Sequence, residues 1–363
     1  ILELDVNNMM VWAEAGVRTI DLYNACAAKG LFYPPDPASW KFSTIGGNVA
    51  ENAGGMRAVK YGVTSNYVMG LEVVLADGSV LLTGGKAIKN VTGYNLTSLF
   101  TGSEGTLGII TKALLRLIPM PKKRGTLQLM FRTLDDGCTT VHQMLQSGLL
   151  PAAAEIMDRF CLEAVAKHRK TQHDPAVGCC IIVEIDGEDD AALEAQAKKM
   201  EAVARQCGVY QFRVAQSQQE SDELWAIRRG LSSAIASLVP NRLGEDISVP
   251  RDAFPEVVRR IGAIAEKHKL TIAVYGHAGD GNIHPSILCD LSKPGEEERV
   301  HRAVGELFDA TLAVGGTLSG EHGIGITKRP YIAKALGEAG VKALAAVKQA
   351  LDPKGILNPG KIW

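Results

Sequence analysis

The sequence predicts an α+β protein of two domains, and three observations support this class. The chain has 363 residues, 46% of them hydrophobic, which is enough for two packed cores. Residues 1–120 mix short strand-like runs with glycine-rich loops, whereas residues 121–318 alternate strand-like runs with longer segments of helical periodicity, among them residues 189–206 and 252–268. Strands that can pair antiparallel and carry helices between them are typical of an α+β domain built on an antiparallel sheet. Residues 319–363 are predicted to form a tail.

Charge, hydropathy and cysteine spacing limit the classes of partner and the cellular location that the sequence supports. The formal net charge is -1 and no long basic run occurs, so nucleic acid is not expected as a partner. No apolar run reaches the ~18 residues that a membrane-spanning helix needs. The seven cysteines form no CxxC pair and are irregularly spaced. This pattern argues against a disulfide framework and predicts a reducing, cytoplasmic location.

The elements of the first domain follow from turn and periodicity signals. Two strands are predicted around a turn at residues 5–8, followed by a helix at residues 18–29 that Gly30 ends. Two apolar runs around Asp77-Gly78 predict a hairpin. The pattern starts at once with Ile1, so we expect further residues upstream.

Two glycine-rich patches stand out in this domain. Gly46-Gly47 and Gly54-Gly55 form the first, and "TGSEGTLG" at residues 101–108 forms the second. Backbone N–H groups without flanking side chains can donate to a pyrophosphate or a flavin. Irregular loops that require positive φ explain such glycines equally well, and for the glycine pairs alone they are the better explanation. No Rossmann fingerprint or P-loop is present.

The second domain contains a histidine pair. In "GHAGDGNIHPS", His277 ends one strand-like run, His284 lies in the next, and Asp280-Gly281 is a turn signal between them. Such a hairpin brings two imidazoles to one side, as a metal ion requires. A polar pair that merely flanks a hairpin is the alternative. "SGEHGIG" adds Glu321 and His322, although spacing alone cannot bring this loop to the hairpin.

A predicted helix at residues 223–235 carries a candidate anion-binding arginine. Arg228 follows Trp225 by three residues, so both lie on one helix face. A guanidinium suits bidentate binding of a carboxylate. From spacing alone, a solvated Arg228-Arg229 pair on a surface helix is the better explanation.

The motifs, taken in order, resemble a known family. They run from "PPDP" and "TIGGNVAENAGG" through "GSEGTLGIIT" and "GHAGDGNIHP" to "GEHGIG" and "LDPKGILNPGK". This series resembles the vanillyl-alcohol-oxidase type of FAD enzymes, in the branch of bacterial glycolate oxidase and D-lactate dehydrogenase. The resemblance implies a PCMH-type FAD-binding domain at residues 1–120, truncated at its N-terminus, and a substrate domain at residues 121–318. The residues it implies for FAD binding are Pro35, Thr44, Gly46, Gly47, Asn48, Asn52, Gly55, Gly105, Gly108, Ile110 and Asn358.

The same resemblance implies a metal site and catalytic residues. His277, His284 and Glu321 match the metal ligands of the family, with Zn²⁺ as the expected ion and Fe²⁺ or Mn²⁺ as alternatives. His322 matches the catalytic histidine and Arg228 the arginine that binds the substrate carboxylate. Ser232, one turn after Arg228, is also expected to face the substrate. The tail, residues 319–363, is expected to complete the active site and return to the flavin domain.

The implied activity is oxidation of a small 2-hydroxy acid, D-lactate or glycolate, with hydride transfer to FAD. Expected partners are an electron-transferring flavoprotein or an iron-sulfur subunit, with a peripheral membrane location through that complex; a homodimer is also open. The D-2-hydroxyglutarate branch carries a lysine where this chain has Gly244-Glu245, so that acid is expected to be a poorer substrate. The family also has an N-terminal flavin subdomain that is absent here, and we expect tight FAD binding to require it. The alternatives are a D-2-hydroxyglutarate dehydrogenase, a non-catalytic flavin subunit of an electron-transfer complex, and a cofactor-free fragment.

Overall fold

The computed structural model describes residues 1–362, and these form two compact units. The first unit comprises Ile1–Met120 and the chain from Glu321 onward, and the second is Pro121–Gly320. Both contain helices and antiparallel sheets, which confirms the predicted α+β class. Ser319 and Gly320, assigned to the tail by the sequence, belong to the second unit because both donate hydrogen bonds to Asp246.

The first unit is built on a five-stranded antiparallel sheet of order β1-β2-β6-β4-β5. The β4–β5 hairpin turns at Gly78, which has a φ of +86°, so the predicted Asp77-Gly78 hairpin is confirmed. The helix predicted at residues 18–29 forms over Thr19–Ala27. The elements are β1 (Glu3–Asp5), β2 (Met10–Glu14), α1 (Thr19–Ala27), β3 (Leu31–Phe32), α2 (Ile45–Glu51), α3 (Ala58–Tyr61), β4 (Val68–Val74), β5 (Val80–Gly84), α4 (Leu96–Phe100), β6 (Ile109–Arg116) and β7 (Ile118–Pro119).

The core of this unit lies between the sheet and its short helices. Alternate residues of β2 and β6 point inward, and Val11, Ala13, Ala113 and Leu115 are fully buried. Tyr33 and Phe100, from the loops and α4, fill the remaining space. This packing fixes both glycine-rich patches, since one contains α2 and the other connects α4 to β6.

The second unit is built on an eight-stranded antiparallel sheet of order β11-β8-β10-β9-β14-β15-β12, with β13 also paired to β15. The sequence-predicted helices at residues 189–206, 223–235 and 252–268 all form, the second as part of a longer helix. The elements are β8 (Lys123–Phe131), α5 (Leu134–Gln146), β9 (Ala153–Asp158), α6 (Arg159–Arg169), β10 (Cys179–Gly187), α7 (Asp190–Gln206), β11 (Gln211–Val214), α8 (Gln218–Ala236), β12 (Asn241–Gly244), β13 (Ile247–Ser248), α9 (Phe254–His268), β14 (Thr271–His277), β15 (Asn282–Cys289) and α10 (Glu296–Leu312).

The register of this sheet sets a row of side chains on one face. Directly opposed residues of neighbouring strands point to the same side. Gln128, Ile182, Glu155, His277 and Asn282 are such partners on five successive strands. Helix α8 covers this face, since the buried Trp225 donates from Nε1 to Thr126 Oγ1 at 3.1 Å.

The returning chain adds α11 (Ile332–Leu351), which is interrupted at Gly337. Lys348 near its end donates to the carbonyls of Thr106 and Leu357, both at 2.8 Å, and so ties the last turns to the second glycine patch. Across the described part of the chain, no helix has the length and apolarity to cross a membrane. All seven cysteines are free thiols.

Candidate functional site

The histidine pair forms as predicted on the β14–β15 hairpin. His277 and His284 are both buried, with 5% and 6% of their surface exposed. The turn between them requires glycine at 281, where φ is +89° and a Cβ would lie 2.1 Å from the carbonyl oxygen of Val249. The two Nε2 atoms face each other at 3.3 Å.

This arrangement fits a metal ion. Two imidazole nitrogens, each ~2.05 Å from a tetrahedral Zn²⁺, lie roughly 3.3 Å apart. The observed Nε2 separation is 3.3 Å, so the rings are already placed as two ligands of one ion. Without an ion the same distance lets one ring donate to the other.

Glu155 on β9 is a site residue that the sequence analysis missed. It is fully buried, and its carboxylate accepts from His277 Nδ1 at 2.5 Å and from Arg228 Nε at 2.7 Å. Burial opposes its ionisation, but the charges of His277 and Arg228 outweigh that cost, so the pKa of Glu155 is lowered. A buried glutamate hydrogen-bonded to a histidine is a signal that only the three-dimensional register provides.

Asp246 is a second buried carboxylate beside the hairpin. It accepts from Asn282 Nδ2 at 2.6 Å, and its Oδ1 lies 3.7 Å from His284 Nδ1. It also accepts from the Ser319 hydroxyl at 2.7 Å and the Gly320 N–H at 3.0 Å. Asp246 therefore fixes the end of the second unit, one residue before Glu321.

Arg228 is not part of a solvated pair. Its side chain is 12% exposed, it bonds Glu155, and its guanidinium carbon lies 5.1 Å from the centre of the Tyr275 ring. The neighbouring Arg229 is exposed and donates to the carbonyl of Asp222. The expectation of a solvated surface arginine is therefore met by Arg229 and not by Arg228.

Ser232 lies one turn after Arg228 and has a partner that the sequence analysis did not anticipate. Arg242 on β12 donates from Nη1 to the Ser232 hydroxyl at 2.8 Å. Its Nη2 lies 3.4 Å from the position that a Cβ on Gly244 would take. Within residues 1–362 no carboxylate forms an ion pair with Arg242. The Arg242 guanidinium therefore lies beside Gly244 and supplies a positive charge that residues 244 and 245 themselves do not.

In the first unit, several predicted FAD-binding residues support the loop itself. Thr44 caps α2 by accepting from the Gly47 N–H at 3.3 Å, and Asn48 donates to Thr19 Oγ1 at 2.8 Å. Asn52, with a φ of +53°, ends α2 and accepts from the Ser65 N–H at 2.8 Å. Three of the predicted glycines pack closely on other residues: Gly46 on Ala15, Gly55 on Asp36 and Gly108 on Val73. Ile110 pairs with Val73 across the sheet. The carbonyl of Pro35 accepts from the Tyr23 hydroxyl.

Other features of the two patches fit a bound FAD. Gly47 is exposed, and a Cβ at Gly105 would meet no atom within 4 Å, so backbone is open to a ligand at both. The Ser103 hydroxyl is buried and has no hydrogen-bond partner among residues 1–362. An orphaned hydroxyl beside open glycines suits a group rich in hydrogen-bond acceptors.

The loop that carries Glu321 and His322 is anchored on both patches. Gly54 packs against Glu321, since a Cβ there would lie 2.9 Å from Glu321 Oε2. Glu104 accepts from the N–H groups of Ile324 at 2.7 Å and Gly325 at 2.8 Å. Its carbonyl accepts from Asn358 Nδ2 at 2.5 Å, so this predicted FAD ligand bonds the second patch instead. The His322 side chain is 56% exposed.

Comparisons with known proteins agree with this architecture. A family model described as FAD linked oxidases, C-terminal domain, matches residues 120–362, and one described as FAD binding domain matches residues 1–84. The chain is 42% identical over 363 residues to the glycolate oxidase subunit GlcD of Bacillus subtilis, covering 100% of this chain and 77% of that protein. It is 36% identical over 369 residues to the D-lactate dehydrogenase of Anaerostipes hadrus, covering 100% of this chain and 78% of that protein.

A solved structure shows the same fold. The p-cresol methylhydroxylase with substrate bound matches with a TM-score of 0.78 and 18% identity, over 100% of this chain and 77% of that chain. The predicted flavin-enzyme fold is confirmed. The roles of individual residues stay predictions.

Proposed function

The chain belongs to the FAD-linked oxidases, and from this premise we propose that it oxidises a small 2-hydroxy acid, D-lactate or glycolate, to the 2-oxo acid. One observation carries the proposal: Glu155 joins His277, one of two histidines whose Nε2 atoms converge at 3.3 Å, to Arg228, a largely buried arginine of helix α8. A metal-binding pair beside a carboxylate-binding cation matches the two oxygen-bearing groups of a 2-hydroxy acid. The names of the two relatives support the same substrate class.

The protein's residues divide the remaining tasks. When bound, FAD supplies the hydride acceptor and a divalent ion supplies a Lewis acid for the 2-hydroxyl group. Arg228 holds the substrate carboxylate through its Nη groups, since its Nε is bonded to Glu155. His322 accepts the hydroxyl proton, a role that its solvent-accessible imidazole can fill as a general base.

The set of ligands is His277, His284 and Glu321. This is the set that the resemblance of "GHAGDGNIHP" and "GEHGIG" to the family implies. Two neutral nitrogens and one carboxylate form a ligand set that Zn²⁺ accepts and that leaves a position for substrate; Fe²⁺ and Mn²⁺ are the alternatives. Electrons leave to a partner protein, as the word subunit in the name of the Bacillus relative supports.

A second candidate is a D-2-hydroxyglutarate dehydrogenase. The sequence argued against it because Gly244 replaces a lysine, yet the Arg242 guanidinium stands next to Gly244 and Ser232. The second carboxylate of D-2-hydroxyglutarate would bind there. Arg242 would then determine whether the site accepts an acid with two carboxylates.

Replacing Arg242 tests this second candidate. Arg242→Met should lower kcat/KM for D-2-hydroxyglutarate at least tenfold, since charged hydrogen bonds contribute about 1.5–3 kcal/mol. It should leave kcat/KM for D-lactate within about threefold, because that acid has no second carboxylate. Steady-state kinetics with both acids check this. Equal losses for both would show that Arg242 only supports α8.

The proposed function is tested by single-turnover reduction of bound flavin. The protein loaded with FAD and Zn²⁺ is mixed anaerobically with D-lactate, L-lactate, glycolate and D-2-hydroxyglutarate, and the flavin absorbance is followed. We expect D-lactate or glycolate to bleach the flavin fastest. If none of these acids reduces flavin that dithionite does reduce, the proposal is wrong.

A further inference from the structure

Glu155 holds two functional side chains with one carboxylate. Its Oε1 accepts from His277 Nδ1 and its Oε2 from Arg228 Nε. Glu155 and His277 are directly opposed on β9 and β14, so the sheet register sets their contact. The side chain is fully buried, which keeps water from replacing either partner.

The contact with His277 determines which ring nitrogen can bind a metal ion. A carboxylate that accepts at Nδ1 keeps the proton there and leaves the Nε2 lone pair free for an ion. That Nε2 is the atom that faces His284 at 3.3 Å. Without the carboxylate, the ring could take the other tautomer or rotate.

The contact with Arg228 determines where the guanidinium points. With Nε bonded to Glu155, the two Nη groups are the ones left for a ligand, and no acceptor for them occurs in the described part of the chain. The Tyr275 ring lies against the same guanidinium and limits its rotation. The two Nη groups of Arg228 are therefore preorganised to bind a carboxylate.

We propose that Glu155 is a positioning residue that couples the metal ligand His277 to the substrate-binding Arg228. This inference rests on the proposed function for the role of Arg228. Its consequence is that removing one buried carboxylate weakens two different binding events, at the ion and at the substrate carboxylate. A carboxylate that only balances buried charge would affect stability without this paired loss.

Glu155→Gln removes the charge and keeps the shape. We expect Zn²⁺ affinity, measured by competition with a chromophoric chelator, to fall about tenfold to a hundredfold. We expect KM for D-lactate to rise at least tenfold, because the guanidinium loses its anchor. Asp158→Asn is the matched control, since Asp158 is a partly buried carboxylate on the same strand that accepts from the N–H groups of Val274 and Cys161 instead. The control should keep both values within about threefold of wild type.

Each outcome decides the proposal. Wild-type Zn²⁺ affinity in Glu155→Gln overturns it, and so does a loss of Zn²⁺ affinity with an unchanged KM, because Glu155 would then serve His277 alone. Equal losses of Zn²⁺ affinity and equal rises of KM in Asp158→Asn would overturn it as well, because both changes would then come from a disturbed fold. Should Glu155→Gln fail to fold, Glu155→Asp keeps the charge at shorter reach and should show smaller losses in both values. The chelator competition needs no turnover, so it tests Glu155 at the metal site even if the substrate class is wrong.

Discussion

His284→Ala should lose the divalent ion and, with it, at least about a thousandfold in kcat for the preferred acid. The ring supplies one of the two nitrogens that converge at 3.3 Å, and no other side chain on the hairpin can replace it. A Lewis acid contributes several kcal/mol to stabilising a developing alkoxide, and each ~1.4 kcal/mol is a factor of ten in rate. Elemental analysis of the purified variant and steady-state kinetics with added Zn²⁺ measure the two losses.

Two other histidine variants serve as controls. His268→Ala removes a ring on α9 whose Nε2 lies 3.1 Å from Glu306, so both metal content and kcat should stay near wild type. His322→Ala should lower kcat and keep its ion, because we assign His322 to the proton and not to the metal. Full metal occupancy in His284→Ala would exclude His284 as a ligand.

The elements that the sequence predicted are those with local signals. The hairpin of β14 and β15 was predictable because Asp280-Gly281 marks its turn, and α7, α8 and α9 because apolar residues recur at helical spacing. Strand β9 was not identified, since "AAEIMD" lacks both alternation and β-branched residues beyond one isoleucine. Missing β9 meant missing Glu155.

The other omissions have a non-local cause. The sequence does not single out Arg242, because the family resemblance concerns position 244, whereas a long side chain two residues earlier on the same strand face reaches the same point. Glu104 lies in the second glycine-rich patch, and the sequence assigns it no role. Its bonds to Ile324 and Gly325 join segments more than 200 residues apart, which no local pattern encodes.

Some predicted FAD ligands illustrate a different limit. Asn48 and Asn52 stand in the right motif, yet their side chains bond other segments of the same unit, at Thr19 and at the Ser65 N–H. A motif identifies a loop and its backbone, but it does not say which side chains face the ligand. Ser103 has a buried hydroxyl without a hydrogen-bond partner among the described residues. The sequence pattern indicated its glycine neighbours Gly102 and Gly105 but did not indicate Ser103.

Arg228→Ala should lower kcat/KM for any 2-hydroxy acid by roughly two to three orders of magnitude. Losing a charged hydrogen bond typically costs about 1.5–3 kcal/mol, and a bidentate pair loses two. The largest part of the loss should appear in KM if Arg228 binds the carboxylate equally in the ground and transition states, and in kcat if it also orients the C–H bond. Stopped-flow flavin reduction over a range of substrate concentrations separates the two.

Matched variants distinguish recognition of the substrate from support of the fold. Arg229→Ala removes an exposed neighbour on the same helix and should keep kcat/KM near wild type. Arg228→Lys keeps a positive charge for the buried Glu155 and loses the planar fork, so it should retain Zn²⁺ affinity better than kcat/KM. Because Arg228→Ala leaves Glu155 with one partner fewer, its melting temperature must be compared with that of Arg228→Lys. If Arg228→Lys is as active as wild type, a bidentate carboxylate contact is excluded and the substrate must be held by another cation, for which Arg242 on β12 is the candidate.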